Sequence, residues 1–579
     1  MEFKNKILLI TFFFLAAFST MHAERVVLDA ADFGVRADGE SNDALAIQRM
    51  IDAAVERGQD KSVTFRFPAD SRIYAEPYRN RHLFRIDGFH DLRIEGSDTI
   101  FSLHPDLRFI FATNCDTLTV RGINIEMAVN PTLEATIMST NRDGSELTVR
   151  LDEPERAPTL AGPTGEDGEQ GLFGMLWLND LYTDYSYHYY VRDFETDDAS
   201  VNALTTVIGR NPVPAHYFER IRPGETRISL PVAGVAHRHG PGAMIIIDRC
   251  GDVHFEDVEV WSAPWFAYQI FRNTGELVFR RAHVRPQPGS KRITSIWRDA
   301  FHVKGNSGTL LFEDCILKGM NDDAFNVSTH NWRVTRVLSE NHFEIEQFFP
   351  IQFMPFQVGG NLEVLSADGQ VRLGNARIER IKGIPEDIAV ISEEDPLEHP
   401  EAPTLEVITA EPIAGIEVGS VMWDTTTANP SVTIRGCVIR NSCRFQSPVT
   451  LENNDIQALV WFYGEDVEGP LPSGSIVRNN TFKRGRGNPE IAVSILGVMR
   501  VGFEAEETII PSSKEAFPLR DIVFENNRVY GDLVIDRVHG LQLRGNRFPD
   551  GLGSSRIAES FDVSLRRNRP NLRQILQNY

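Results

Sequence analysis

A pentapeptide pattern occurs twice in this chain, 24 residues apart. Asp299-Ala300-Phe301-His302-Val303 returns as Asp323-Ala324-Phe325-Asn326-Val327. Around it runs a looser repeat: CGDVHFEDVEV from Cys250, TGELVFRRAHV from Thr274 and SGTLLFEDCIL from Ser307. Phe255 and Phe279 are 24 residues apart, and Phe279 and Phe312 are 33 apart. Each unit alternates apolar and polar residues, the period of a β-strand with one buried face. The units recur through residues 431–579, punctuated by Asn-Asn and Gly-Asn pairs that tolerate a left-handed backbone at turns. A meander of hairpins would show shorter spacing and two-residue turns of the Asn-Gly type. Strands repeated about once per two dozen residues, without intervening helical periodicity, predict an all-β parallel β-helix.

Two stretches break the period. Residues 130–240 are rich in Gly, Pro and Tyr, and residues 333–430 hold hairpin-like segments. Both read as β-rich, barrel-like insertions whose loops overhang the solenoid. Between them lie the central coils, 241–332; coils at 24–129 and 431–579 flank them. A solenoid end needs a cover, because an open strand edge recruits other strands. Residues 42–55 supply an amphipathic cap helix, with Leu45, Ile47, Ile51 and Val55 as apolar positions and Asn42 or Asp43 as the capping residue.

The repeat places Asp299 over Asp323. Adjacent strands lie about 4.8 Å apart, so the two carboxylates stack at close range, and Asp322 adds a third. Stacked like charges contribute nothing to a fold, yet they split pKa values, which is what acid–base hydrolysis requires. The competing reading is a Ca²⁺ site, since clustered carboxylates bind hard cations. One geometric demand follows. Adjacent strand residues face opposite ways, so Asp322 and Asp323 share a cleft only where the backbone bends. By the same register Arg298 falls near Asp322, where it would lower that carboxyl's pKa. Trp297 is either a sugar platform or a core residue, and His302 and Asn326, in one column, are candidate partners for sugar hydroxyls or a simple polar stack. Phe266 takes the place of Asp299 one coil earlier. His237 and His239 form an HxH pair, too few ligands for a metal site.

A net charge of -22 argues against nucleic acid as a partner and leans towards a neutral substrate. The first residues place Lys4 and Lys6 ahead of an apolar run from Ile7 to Phe18, with small residues leading to Ala23. That predicts a signal peptide over 1–23 and a periplasmic or secreted product without a membrane anchor. Five dispersed cysteines rule out a disulfide scaffold and leave room for one bridge.

At WRDAFHVKGN (297–306) and GMNDDAFNVSTH (319–330) the chain resembles glycoside hydrolase family 110, the bacterial α-1,3-galactosidases. The resemblance implies a right-handed parallel β-helix of the pectin-lyase kind with barrel insertions. It implies removal of terminal α-1,3-linked galactose with inversion, from blood-group B or linear α-1,3-galactosyl glycans, without a cofactor or catalytic metal. The family's three aspartates fall on Asp299, Asp322 and Asp323. A wider likeness to polygalacturonases suggests Asp322 as general acid, with Asp299 and Asp323 activating water. The Gly-His-Gly segment of polygalacturonases is missing here. A Ca²⁺-dependent lyase with Lys304 or an Arg as base and a glycan-binding adhesin are the alternatives; a homo-oligomer is left open.

Overall fold

In the computed structural model of the chain, residues 25–577 are described, apart from 161–172, 178–185, 197–203, 210, 214, 233–241, 349–355, 385–402, 466, 485–490, 501–510 and 512. The expected leader at 1–23 and the pair His237 and His239 lie outside the described residues.

The repeat folds as a parallel β-helix. One parallel sheet aligns Phe255 with Phe279 and Phe279 with Phe312, so the uneven spacings of 24 and 33 residues close onto the same rung position. The second sheet carries, in order, the strands Ile245–Asp248, Tyr268–Phe271, Phe301–Lys304, Phe325–His330, Cys443–Phe445 and Val460–Glu465. Inward residues of both sheets build one core in which rings stack rung on rung. Phe279 and Phe312 stack at 5.0 Å, and Phe301 and Phe325 at 5.3 Å. Each buried ring is worth roughly 1.5–3 kcal/mol.

The Asn pairs do two jobs at the corners. The first residue of each pair adopts the left-handed turn: φ is 58° at both Asn453 and Asn479, 56° at Asn526 and 66° at Gly545. The second turns inward and joins a ladder. Asn454 donates to Asn480 at 3.0 Å, Asn480 to Asn527 at 3.1 Å, and Asn527 to Asn546 at 3.3 Å. Their other bonds satisfy backbone groups that the turns leave buried, as Asn527 does for the Val477 carbonyl at 2.9 Å.

The helix Ala44–Arg57 covers the N-terminal end. Ile47 and Ile51 face the core as expected, whereas Leu45 and Val55 are exposed at 43% and 47%. The buried face is made by Ala44, Ala46, Ile47, Met50, Ile51 and Ala54, large apolar residues alternating with alanines. Asn42 accepts the Ala44 N–H at 3.1 Å, while the Asp43 side chain turns back to the amides of Arg36 and Ala37. Two closed six-stranded barrels interrupt the solenoid. The first runs from the strand Thr132–Thr140 to Arg227–Pro231, and the second from Trp332–Ser339 to Val421–Asp424, each around its own apolar core. All five cysteines are free and buried, so no disulfide forms.

Replacing Asn527 by Leu strands the Val477 carbonyl and breaks the ladder on both sides. We expect a loss of about 3 kcal/mol, from one to three orphaned groups, read as a lower denaturant midpoint at unchanged slope.

Candidate active site

The three acids sit where the chain turns into the second sheet. Asp299 and Asp323 each precede a strand by two residues, and the Ala300 N–H donates to the Asp323 carbonyl at 2.9 Å, which sets the two on neighbouring rungs. Residues 321–324 form a bend rather than a strand. Strand alternation therefore does not apply, and Asp322 and Asp323 reach the same cleft. Carboxylate oxygens of Asp299, Asp322 and Asp323 lie within 4.8 Å of one another.

Their surroundings differ. Asp322 keeps 24% of its side chain exposed and accepts a bond from Arg298 at 2.8 Å. Asp323 is 6% exposed and is held by Arg444 at 2.7 Å and by the Ser442 hydroxyl at 2.5 Å. Asp299, at 4%, makes no ion pair with an Arg or Lys among the described residues; it pairs with His302 Nδ1 at 2.7 Å. Burial, reinforced by the charge of Asp322, pushes Asp299 up to about 8. Burial pushes Asp323 up to about 7; Arg444 works against it, and the charges of Asp322 and Asp299 add to it. Burial also keeps His302 neutral, well below the ordinary imidazole value. Carboxyls this close titrate as a unit, so at neutral pH the cluster carries a shared proton. The three acids could also hold a cation by their spacing. Two guanidinium groups already sit on them, which offsets the charge that would attract a divalent ion.

Behind the acids lies a buried network. Lys304, fully buried, donates to Asn326 at 2.8 Å, to Glu468 at 2.7 Å and to Ser328. Glu468 also receives Arg444 at 3.4 Å and Asn326 at 3.4 Å. Although burial works to raise Glu468, Lys304 and Arg444 hold it far below the usual carboxylate range. The segment leading to Asp299 is anchored from the first barrel: Glu134 accepts the N–H of Ile293 at 2.8 Å and of Thr294 at 3.0 Å.

The register expectations for Arg298, His302, Asn326 and Phe266 hold in the geometry; the expected environments differ. Asn326 is committed to Lys304 and Glu468 and is 3% exposed, so its amide faces the network rather than the cleft. Trp297, a sugar platform or a core residue by its sequence, packs inward at 3% exposure. The aromatic rings left half-buried nearby are Trp265, over which Arg298 stacks at 4.9 Å, and Phe266, 4.6 Å from the His302 ring. Sequence reasoning missed Arg444, Ser442 and Glu468. The second barrel separates Arg444 from Asp323 by 121 residues, so no local period reveals them.

No family model matches the chain. Among curated proteins it is similar to alpha-1,3-galactosidase B of Bacteroides thetaiotaomicron, 22% identical over 54% of this chain and 52% of that one. It is similar to alpha-1,3-galactosidase A of Akkermansia muciniphila, 26% identical over 36% of this chain and 34% of that one. It is also similar to alpha-1,3-galactosidase A of Streptomyces avermitilis, 22% identical over 72% and 69%. The match thus spans about half the length of the first relative and a third of the second. Among solved structures, an exopolygalacturonase from Thermotoga maritima aligns over 92% of this chain and 88% of its own, at 12% identity and a TM-score of 0.35. The A-module of a mannuronan C-5 epimerase from Azotobacter vinelandii aligns over 94% and 99%, at 12% identity and a TM-score of 0.33. The assignment of fold rests on the strand register, not on these scores.

The raised acids make a prediction about stability. An unfolded Asp ionises near 3.8, whereas folded Asp299 holds its proton to about 8. Between those values the folded state binds more protons, so stability falls as pH rises across the window. Asp299→Asn removes that penalty. Its melting temperature should exceed the wild type's by more at pH 8 than at pH 5, measured by calorimetry in matched buffers.

Proposed function

We propose that the protein is an exo-acting glycoside hydrolase of family 110 that removes terminal α-1,3-linked galactose from oligosaccharides or glycoconjugates with inversion. The observation that carries the reading is the cluster itself: three carboxyls within 4.8 Å on one rung pair, holding a shared proton at neutral pH. The curated relatives bearing the galactosidase name support the choice of sugar.

Asp322 is the member that meets solvent, so it delivers the cluster's proton to the glycosidic oxygen. The Asp299–Asp323 pair takes a proton from the water that attacks C1 from the opposite face. The leaving group gains one proton and the water loses one, so the cluster's count is unchanged. Transfer back to Asp322 crosses less than 4.8 Å and readies the next turnover. Opposed acid and base in inverting enzymes usually stand about 6.5–9.5 Å apart to admit water. Here the cluster is tighter, so the water sits against the buried pair rather than between two opposed groups. Arg298 is free of any base role because it is held on Asp322, and Lys304 is buried on Glu468, which disfavours a lyase. The leader-like residues 1–23 support export to the periplasm or beyond.

The test is proton NMR of the protein with α-1,3-galactosyl oligosaccharides, with and without a fucose branch, in EDTA. β-Galactose appearing first is the expected result. α-Galactose first would mean retention, an unsaturated product a lyase, and binding without turnover an adhesin. Loss of the shared proton should lower kcat/KM as pH rises through about 8. Asp322→Asn should cut kcat about 10³-fold on a natural glycan. The cut should be smaller on an aryl galactoside whose leaving group needs no proton.

A further inference from the structure

Six tryptophans have described side chains. Trp261, Trp297, Trp332 and Trp423 are 1–7% exposed. The two left half-buried, Trp265 and Trp461, lie on opposite sides of the acid cluster. Trp265 belongs to the rung before Asp299, since its carbonyl accepts the Arg298 N–H at 3.2 Å. Trp461 stands beyond the cluster. Strand register runs from His302 to Asn326, from Asn326 to Arg444 and from Arg444 to Trp461, so these four side chains form one outward column. From the Trp265 rung to the Trp461 rung is four strand steps, about 19 Å.

The two ends differ. On the Trp265 side, Arg298 already covers the indole, and Phe111, Ile246 and Phe271 close the sheet face with Phe266 packed against them. That end is blind. On the other side Trp461 is set at right angles to Tyr463, with centroids at 5.6 Å. Tyr463 is in turn 3.3 Å from Arg444, the residue that holds Asp323. An indole kept partly open beside charged groups, and braced by a buried tyrosine, gains little as core. It offers a flat apolar face, which the C–H face of a pyranose covers while its hydroxyls stay hydrated.

We infer that Trp461 is the platform of the leaving-group subsite, carrying the first sugar past the cleaved bond along the solenoid axis. This rests on the galactosidase reading above. Trp461 is then a specificity-determining residue, acting through substrate contact and not through the acids.

The experiment compares wild type, Trp461→Ala and Trp461→Phe on an α-1,3-galactosyl trisaccharide and on an aryl α-galactoside, which has no sugar at that subsite. In Trp461→Ala the ratio of kcat/KM for trisaccharide over aryl galactoside should fall at least tenfold, through KM, and Trp461→Phe should recover most of it. A ratio within twofold of wild type, or an equal loss of kcat on both substrates, overturns the subsite. Wild-type protein that cleaves neither substrate overturns the galactosidase reading instead. Titration calorimetry with the trisaccharide then decides separately: weaker binding by Trp461→Ala supports the platform, and equal affinity for both proteins overturns it.

Discussion

Parallel register between neighbouring coils is the constraint on which everything else in this molecule depends. It stacks Phe301 on Phe325 at 5.3 Å inside the solenoid. By the same alignment it must bring Asp299 beside Asp323 outside it. The core gains from this repetition, because identical rings pack well. The surface does not, because identical charges repel. A coil that repeats its core residues without repeating its acids is easily imagined, as Phe266 shows one rung earlier in the place of Asp299. The repeated acid is therefore a cost borne by the fold, and such costs gather at sites of chemistry.

What makes the cost tolerable is the asymmetry of the neighbours. Arg298 meets Asp322 and Arg444 meets Asp323, while Asp299 bonds to neutral His302. The guanidinium groups do not balance three carboxyls set this close, and burial converts the surplus charge into a bound proton. Arg444 would itself be costly to bury alone. Its charge is spread over Asp323, Glu465 and Glu468, and it stays protonated because these anions outweigh burial. The proton on the acids and the anions around Arg444 are two parts of one balance.

How much of this could be read from the chain follows the distance between partners. The solenoid, the rung equivalence of Asp299 and Asp323 and the pairing of Arg298 with Asp322 all rest on one short period, and 24 residues separate each pair. The bend at 321–324 was legible only as a requirement. Of the two readings open for Trp297 the core one holds, because the regular strand starts only at Phe301 and alternation does not reach back to it. Leu45 and Val55 did mislead: the helix buries the face that carries Ile47, Met50 and Ile51, and these two apolar residues fall outside it. Arg444, Ser442 and Glu468 were invisible, since the rung above Asp323 resumes only after an entire barrel.

The positions of the two barrels follow a physical logic. An insertion between coils adds little loop-closure cost when its ends already lie close together, as they do where one strand stops and the next rung begins. Such gaps occur at every coil, yet one barrel opens straight after the strand following Asp323, and the other reaches back to the segment before Asp299. There Glu134, 5% exposed, accepts backbone N–H groups of Ile293 and Thr294. Burial pushes that carboxyl up to about 7, with Arg292 opposing, which an ordinary surface brace would not show. The segment entering Asp299 forms only isolated bridges, at Ile296, before the strand at Phe301 begins, whereas Asp323 runs straight into the paired strand Phe325–His330. At the first of these the barrel residue Glu134 supplies what register does not, so Asp299 is held by the solenoid along its axis and by the first barrel across it.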